Sequence, residues 1–206
     1  LLTDNGVNMG VGSSVPTAKI DIIGAGTTST TNSLMIRDSL LNARVTITDA
    51  GNVGIGSSVP VQKLDIAGTV KVTNILIAIP STDQTSSGLY EVGTAGENLT
   101  IDNAIYPSTA GKWFKAKGDA GTTVPVMGIA LATASADASV SVLKTGFYRD
   151  DAWTWTPGGL IYLSPSTAGS LTQTRPSTTG QQVQIVGYAV SADVIYFNPD
   201  YTYVEI

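Results

Sequence analysis

Three features of the sequence predict an all-β fold. Gly (22 of 206 residues), Ser and Thr are abundant while charged residues make up only 13%, about half the ~25% usual in globular domains. Strong helix formers are therefore scarce, and strand and turn formers plentiful. Short segments alternate apolar and polar residues with the period of two that marks a half-buried strand. Turn signals of the Asx-Gly, Ser-Ser-X-Pro and Ser-Thr-Ala-Gly kind separate them.

The same composition excludes several function classes. The net charge is -5 and the 11 basic residues are scattered, so no surface is built to replace the counterions of a nucleic acid. Cys and His are both absent, which removes disulfides, thiolate nucleophiles, the commonest zinc ligands and the commonest general base. No cofactor is expected. The longest strongly apolar run, Ile75 to Ile79, is closed by Pro80 and falls far short of the roughly 20 residues of a membrane helix. It reads as a buried strand, and no membrane insertion is expected. The chain opens at Leu1 rather than at Met, so further sequence is expected to precede it.

Taken in order, the first element is a duplicated phrase. Met9-Gly10-Val11-Gly12-Ser13-Ser14-Val15-Pro16 recurs as Val53-Gly54-Ile55-Gly56-Ser57-Ser58-Val59-Pro60, and the match runs on through Lys19/Lys63, Asp21/Asp65 and Gly24/Gly68. Each copy reads as an Asx/Gly turn, a short strand, a Ser-Ser-X-Pro bend and a second strand ended by glycine. Gly10, Gly12, Gly54 and Gly56, with Pro16 and Pro60, are the turn and packing positions. Between the copies, Gly24 to Ser33 reads as a loop, followed by strands at Leu34 to Asp38 and Ala43 to Ile47. A strand pair this short is marginal alone, so its apolar face needs cover from outside the chain.

GNVGIGSSVPVQKLDIAG, residues 51 to 68, resembles the GNVGIGT-x-x-P-x-x-KLDVxG repeat of bacteriophage tail-fibre shafts and related virion appendage proteins. The resemblance covers about 45 residues over the two copies. It implies an elongated homotrimeric fibre with an intertwined β-structured stalk, in which the phrase is a spacer unit and carries no chemistry. The organisation expected is a repeat-containing stalk over residues 1–80, a linker over 81–95 read from the polar PSTDQTSS stretch, and a compact barrel- or sandwich-like β head over 96–206.

The head contains a weaker echo. Ile105-Tyr106 before Ser108-Thr-Ala-Gly111 recurs as Ile161-Tyr162 before Ser166-Thr-Ala-Gly169, and Met127 to Ala132 recurs as Val186 to Ser191. Two related β units are expected to share one domain. Gly146 to Gly159, Leu171 to Thr174 and Ile195 to Pro199 resemble a compact β domain of phage virion proteins, which implies a virion-structural role.

Candidate sites are few. The Gly-X-Gly pairs lack the third glycine and the helix of a dinucleotide fingerprint. Asp4-Asn5-Gly6 and Asp49-Ala50-Gly51-Asn52 do not continue as a calcium loop and read as Asx turns. Asp150 and Asp151 face opposite sides of any strand, which argues against a paired-carboxylate centre. Trp153 and Trp155, one residue apart, share one face of a strand, where they serve either as core or inter-chain packing or as a surface for sugar rings or a partner protein. Trp113 carries the same two readings. Tyr201 and Tyr203 lie in a C-terminal alternating strand able to join a sheet of this chain or of a neighbour.

The function expected is that of a structural virion protein rather than an enzyme: a trimeric fibre that associates with itself, meets other virion proteins through its N-terminal side and touches host-surface polysaccharide or protein. A capsid-attached head fibre or decoration protein, with a mainly docking role, is the alternative.

Overall fold

The structure, a computed structural model, describes residues 2–206 and contains strands but no helix among them. It divides into two compact units, Leu1–Asn74 and Ile75–Ile206.

In the first unit, β1 (Leu2–Asp4), β2 (Met9–Val11) and β3 (Ile20–Ile22) form one small sheet. A second sheet contains β4 (Asn32–Arg37), β5 (Ala43–Thr48), β6 (Val53–Ile55) and β7 (Leu64–Ile66) in that order. The duplicated phrase folds alike in both copies. β2 pairs with β3 in parallel, Met9 opposite Ile20, and β6 pairs with β7 in parallel, Val53 opposite Leu64. Parallel neighbours ordinarily need a crossover of a dozen or more residues; here residues 12–19 and 56–63 suffice, because side chains brace each bend. The Asp21 carboxylate accepts the Ser13 hydroxyl at 3.2 Å and the Thr17 amide at 3.0 Å; Asp65 accepts Ser57 at 3.4 Å and Val61 at 3.2 Å. Asn8 and Asn52 each donate to the carbonyl of the buried proline, Pro16 or Pro60, at 3.1 Å.

Glycine is forced at two positions of each copy. Gly12 and Gly56 adopt φ of 77° and 72°, which costs an L side chain dearly. A Cβ on Gly10 or Gly54 would meet the carbonyl oxygen of Ser13 or Ser57 at 2.6 or 2.4 Å. Asp4 closes its own Asx turn by accepting the Gly6 amide at 2.7 Å. Asp49 does not: it reaches across to the amide of Gly26 and the hydroxyl of Ser33, and Thr48 closes the turn instead.

This unit lacks a hydrophobic interior of its own. Every fully buried hydrophobic side chain among the described residues lies between Ala95 and Phe197, whereas Val15, Ile20, Leu40, Val61 and Leu64 of the first unit are exposed, Leu40 to 80%. Its buried side chains among the described residues are Ser13, Thr46 and Thr48 and the bend prolines Pro16 and Pro60. The apolar run Ile75 to Ile79, expected to be a buried strand, forms no strand, and Leu76 is 94% exposed. Apolar composition supplies the wish for burial but not the partner strand.

The second unit is built on a curled nine-stranded sheet. Its strands are β8 (Thr85–Thr94), β9 (Ala104–Pro107), β10 (Trp113–Lys115), β11 (Gly128–Ala130), β12 (Ser139–Arg149), β13 (Leu160–Leu163), β14 (Leu171–Thr172), β16 (Ile185–Ala189) and β17 (Val194–Phe197); β15 (Gln182–Val183) pairs separately with β18 (Val204–Glu205). The stretch 81–95, expected as a linker, is therefore mostly β8, which runs along the whole length of β12. Ser, Thr and Gly there signal an edge strand facing water, not a tether, because solvent on one side relieves the strand of apolar alternation.

The order β10-β9-β11-β12-β17-β16-β13-β14 is a palindrome. β9 pairs with β10 and β11 in one half as β13 pairs with β14 and β16 in the other, and the halves join where β12 meets β17, Gly146 opposite Phe197. The weak echo in the sequence is this repeat. After β8 the chain bridges from Ala95 to Trp113 of β10, curling the first half onto itself around Leu99, Ile105, Trp113, Val140 and Val142. A second core gathers Ile129, Leu143, Tyr148, Ile161, Leu163, Ile195 and Phe197. The fully buried Gln184 joins distant backbone: its amide accepts the Val126 N–H at 2.7 Å and donates to the carbonyls of Val126 and Asp200 at 3.0 and 2.7 Å.

Candidate functional site

The aromatic candidates separate once the fold is known. Trp113 opens β10 with its ring in the core, 4% exposed, and the Lys144 ammonium lies 4.6 Å from the ring centroid. It has no free face for a partner, which corrects its reading as a surface contact. Tyr201 and Tyr203 are 55% and 39% exposed and precede β18. Of the C-terminal segment only Val204–Glu205 pairs, and it does so with β15 of this chain.

Trp153 and Trp155 lie in the loop between β12 and β13, not on a strand. They still share one side, with ring centroids 5.4 Å apart and planes at 56°, and Trp153 meets Tyr148 at 5.5 Å. Backbone contacts set this geometry. Asp150 accepts the Ala152 amide through its side chain at 2.8 Å and the Trp153 amide through its carbonyl at 3.1 Å, and the Trp155 amide donates to Ala192 at 2.8 Å. Both indoles rest half-buried on the second core. The two readings of these residues are thus partly combined, since their inner surfaces complete the core while their outer ones line a cleft.

That cleft, of about 350 Å³, is bounded by Ile101, Asp102, Asn103, Asp150, Trp153 and Trp155, with the β14 end at Gly169 to Leu171. Asp102 sits at φ 74° in the turn before β9, a backbone state Asp tolerates better than most residues. Its carboxylate accepts the Tyr148 hydroxyl, and the Asp150 carboxyl is a near neighbour that raises its proton affinity. Burial pushes Asp102 up to about 6, with Asp150 adding to the rise and the Tyr148 hydroxyl opposing it. Burial, followed by the bond to Asp102, raises the Tyr148 phenol far above its ordinary range. Asp150 is only 7% exposed.

Asp102 and Asn103 were not singled out by sequence reasoning, and no local signal marks them. The partner offered to Asp150 by sequence was Asp151, which instead turns outward to Arg149 at 2.6 Å. Adjacent residues do face opposite ways; the true neighbour comes from a turn nearly fifty positions earlier, delivered by the sheet. Of the turn and packing positions in the duplicated phrase, Pro16 and Pro60 are buried at their bends, with Gly10, Gly12, Gly54 and Gly56 in the strands and turns beside them.

Chemically the cleft is acidic and aromatic. No group of three or more His, Cys, Asp or Glu side chains able to hold a metal ion occurs among the described residues. No family model matches the chain, and no curated protein matches it.

Proposed function

We propose that this chain is a structural subunit of a bacteriophage virion appendage, a homotrimeric fibre whose N-terminal unit is stalk and whose C-terminal unit is head. One observation carries the reading. The first unit has regular, twice-repeated backbone geometry yet leaves its apolar side chains in water, Leu64 at 59% and Val61 at 74% exposed. Burying such side chains is worth about 1.5–3 kcal/mol each, and a repeated unit that cannot bury them alone does so against copies of itself. The likeness of residues 51–68 to tail-fibre shaft repeats supports the same reading. No catalytic step is assigned to it.

The experiment is the mass of the full chain in dilute solution by light scattering. A particle of three times 21.2 kDa is expected. Ile20→Asp and Leu64→Asp, which place a charge on exposed apolar positions in the two copies, should dissociate it. A monomeric native chain overturns the proposal.

A further inference from the structure

The cleft beside the two half-buried tryptophans is lined by polar groups that the fold leaves incompletely used. Asn103 accepts the Thr100 amide at 3.0 Å through its side-chain oxygen, while its amide nitrogen donates to no protein acceptor found among the described residues. A Cβ on Gly169 would stand 2.9 Å from that nitrogen, so the glycine keeps this wall open. Trp155, which borders the cleft, has an indole N–H buried from solvent with no acceptor among the described residues, an uncommon state for tryptophan. The Asp150 carboxylate, more than nine-tenths buried, receives a single protein N–H, from Ala152.

The charges are also unbalanced. Neither Asp102 nor Asp150 forms a salt bridge among the described residues, and the nearby Arg149 guanidinium is already held by Asp151 at 2.6 Å and Asp193 at 2.5 Å. An anionic ligand would meet carboxyls that no cation neutralises, and the residues lining the cleft include no Lys or Arg. A wholly apolar ligand would leave those carboxyls desolvated and unpaired, at considerable cost. What fits is a compact ligand with an apolar C–H face for indole surface and several hydroxyl donors for carboxylate oxygens. Hydroxyl-to-carboxylate bonds are the stronger, charge-assisted kind. A volume of about 350 Å³ lies at the lower end of the ~300–1,000 Å³ of small-molecule sites, which suits a single ring rather than an extended chain.

We propose that this cleft binds an uncharged pyranose sugar, its C–H face against Trp153 and Trp155 and its hydroxyls donating to Asp102 and Asp150. The site is one of binding, and no bond-breaking step is assigned to it. It lies within one unit that has its own core, so it stands whether the full chain is a monomer or a trimer.

The test is saturation-transfer NMR on the full chain with four probes: methyl glucoside, methyl galactoside, methyl rhamnoside and N-acetylglucosamine. Glucuronate and the open-chain polyol sorbitol serve as controls. At least one pyranoside should bind saturably in the millimolar range, with the strongest transfer on ring C–H protons and a shift of the Trp153 or Trp155 indole N–H resonances. Glucuronate and sorbitol should give neither effect. Asp150→Asn and Asp102→Asn should each weaken binding about tenfold or more, in line with the ~1.5–3 kcal/mol of a hydrogen bond to a charged group. Ser170→Ala, a milder change on the same wall, keeps the test open if an Asp variant unfolds, and should weaken binding several-fold. Absence of saturable binding for all four probes, equal response to sorbitol or glucuronate, or binding unchanged in every folded variant would each overturn the proposal.

Discussion

At Asp102, burial and the facing Asp150 carboxyl hold the proton to about pH 6, against an ordinary value of 3.8. Folding therefore raises this group's proton affinity, and its contribution to stability is fully present below about pH 4 and lost as pH rises through about 6. The groups around it are Tyr148, Asp150 and, at longer range, Asp83, while Arg149 is occupied by Asp151 and Asp193. Thermal melts across that window should show the second unit growing more stable as pH falls from neutral towards about 5, and Asp102→Asn should flatten this limb. An unchanged slope in the variant would place the proton elsewhere. Little of this was legible in the sequence. Trp153 and Trp155 announce themselves by type and spacing, but their acidic neighbours arrive through strand pairing from a distant turn, and residue spacing carries no record of that.

Among the elements, alternation located the strands at Val53–Ile55 and Leu64–Ile66 and, as Ala43 to Ile47, all but the last residue of Ala43–Thr48, because each is half-exposed and shows the period of two. It was silent on direction: parallel pairing of β6 with β7 depends on the brace from Asp65 to Ser57 and Val61, which looks like an ordinary exposed charge in the sequence. It failed in opposite ways at β8, polar yet a strand, and at Ile75 to Ile79, apolar yet unpaired. Edge position decides the first and lack of a partner the second, and both are tertiary facts. Gln184 shows what such facts weigh. Replacing it with Ala strips one amide and two carbonyls of their partner inside the protein, each worth about 1–3 kcal/mol when left unpaired and buried. Urea unfolding of Gln184→Ala should show a loss of about 3 kcal/mol or more, far beyond the ~1 kcal/mol typical of a point change.

For the whole molecule, the duplications were legible and their consequences only partly so. The strong repeat predicted two like-folded copies, and the weak echo predicted two related β units; the structure contains both, the second as a palindromic strand order. That order makes the second unit two like halves on one chain, meeting at the β12–β17 seam. A nick in the loop at residues 151–159 leaves β8 to β12 on one fragment and β13 to β18 on the other. The two pieces, co-expressed, should find each other and restore the native melting transition, whereas either alone should aggregate or stay unfolded. Joining two like halves in one chain leaves each free of strict symmetry. The tryptophans of the 151–159 loop occur once and not twice, so the palindrome of strands carries an aromatic pair at its single connection that no second copy mirrors.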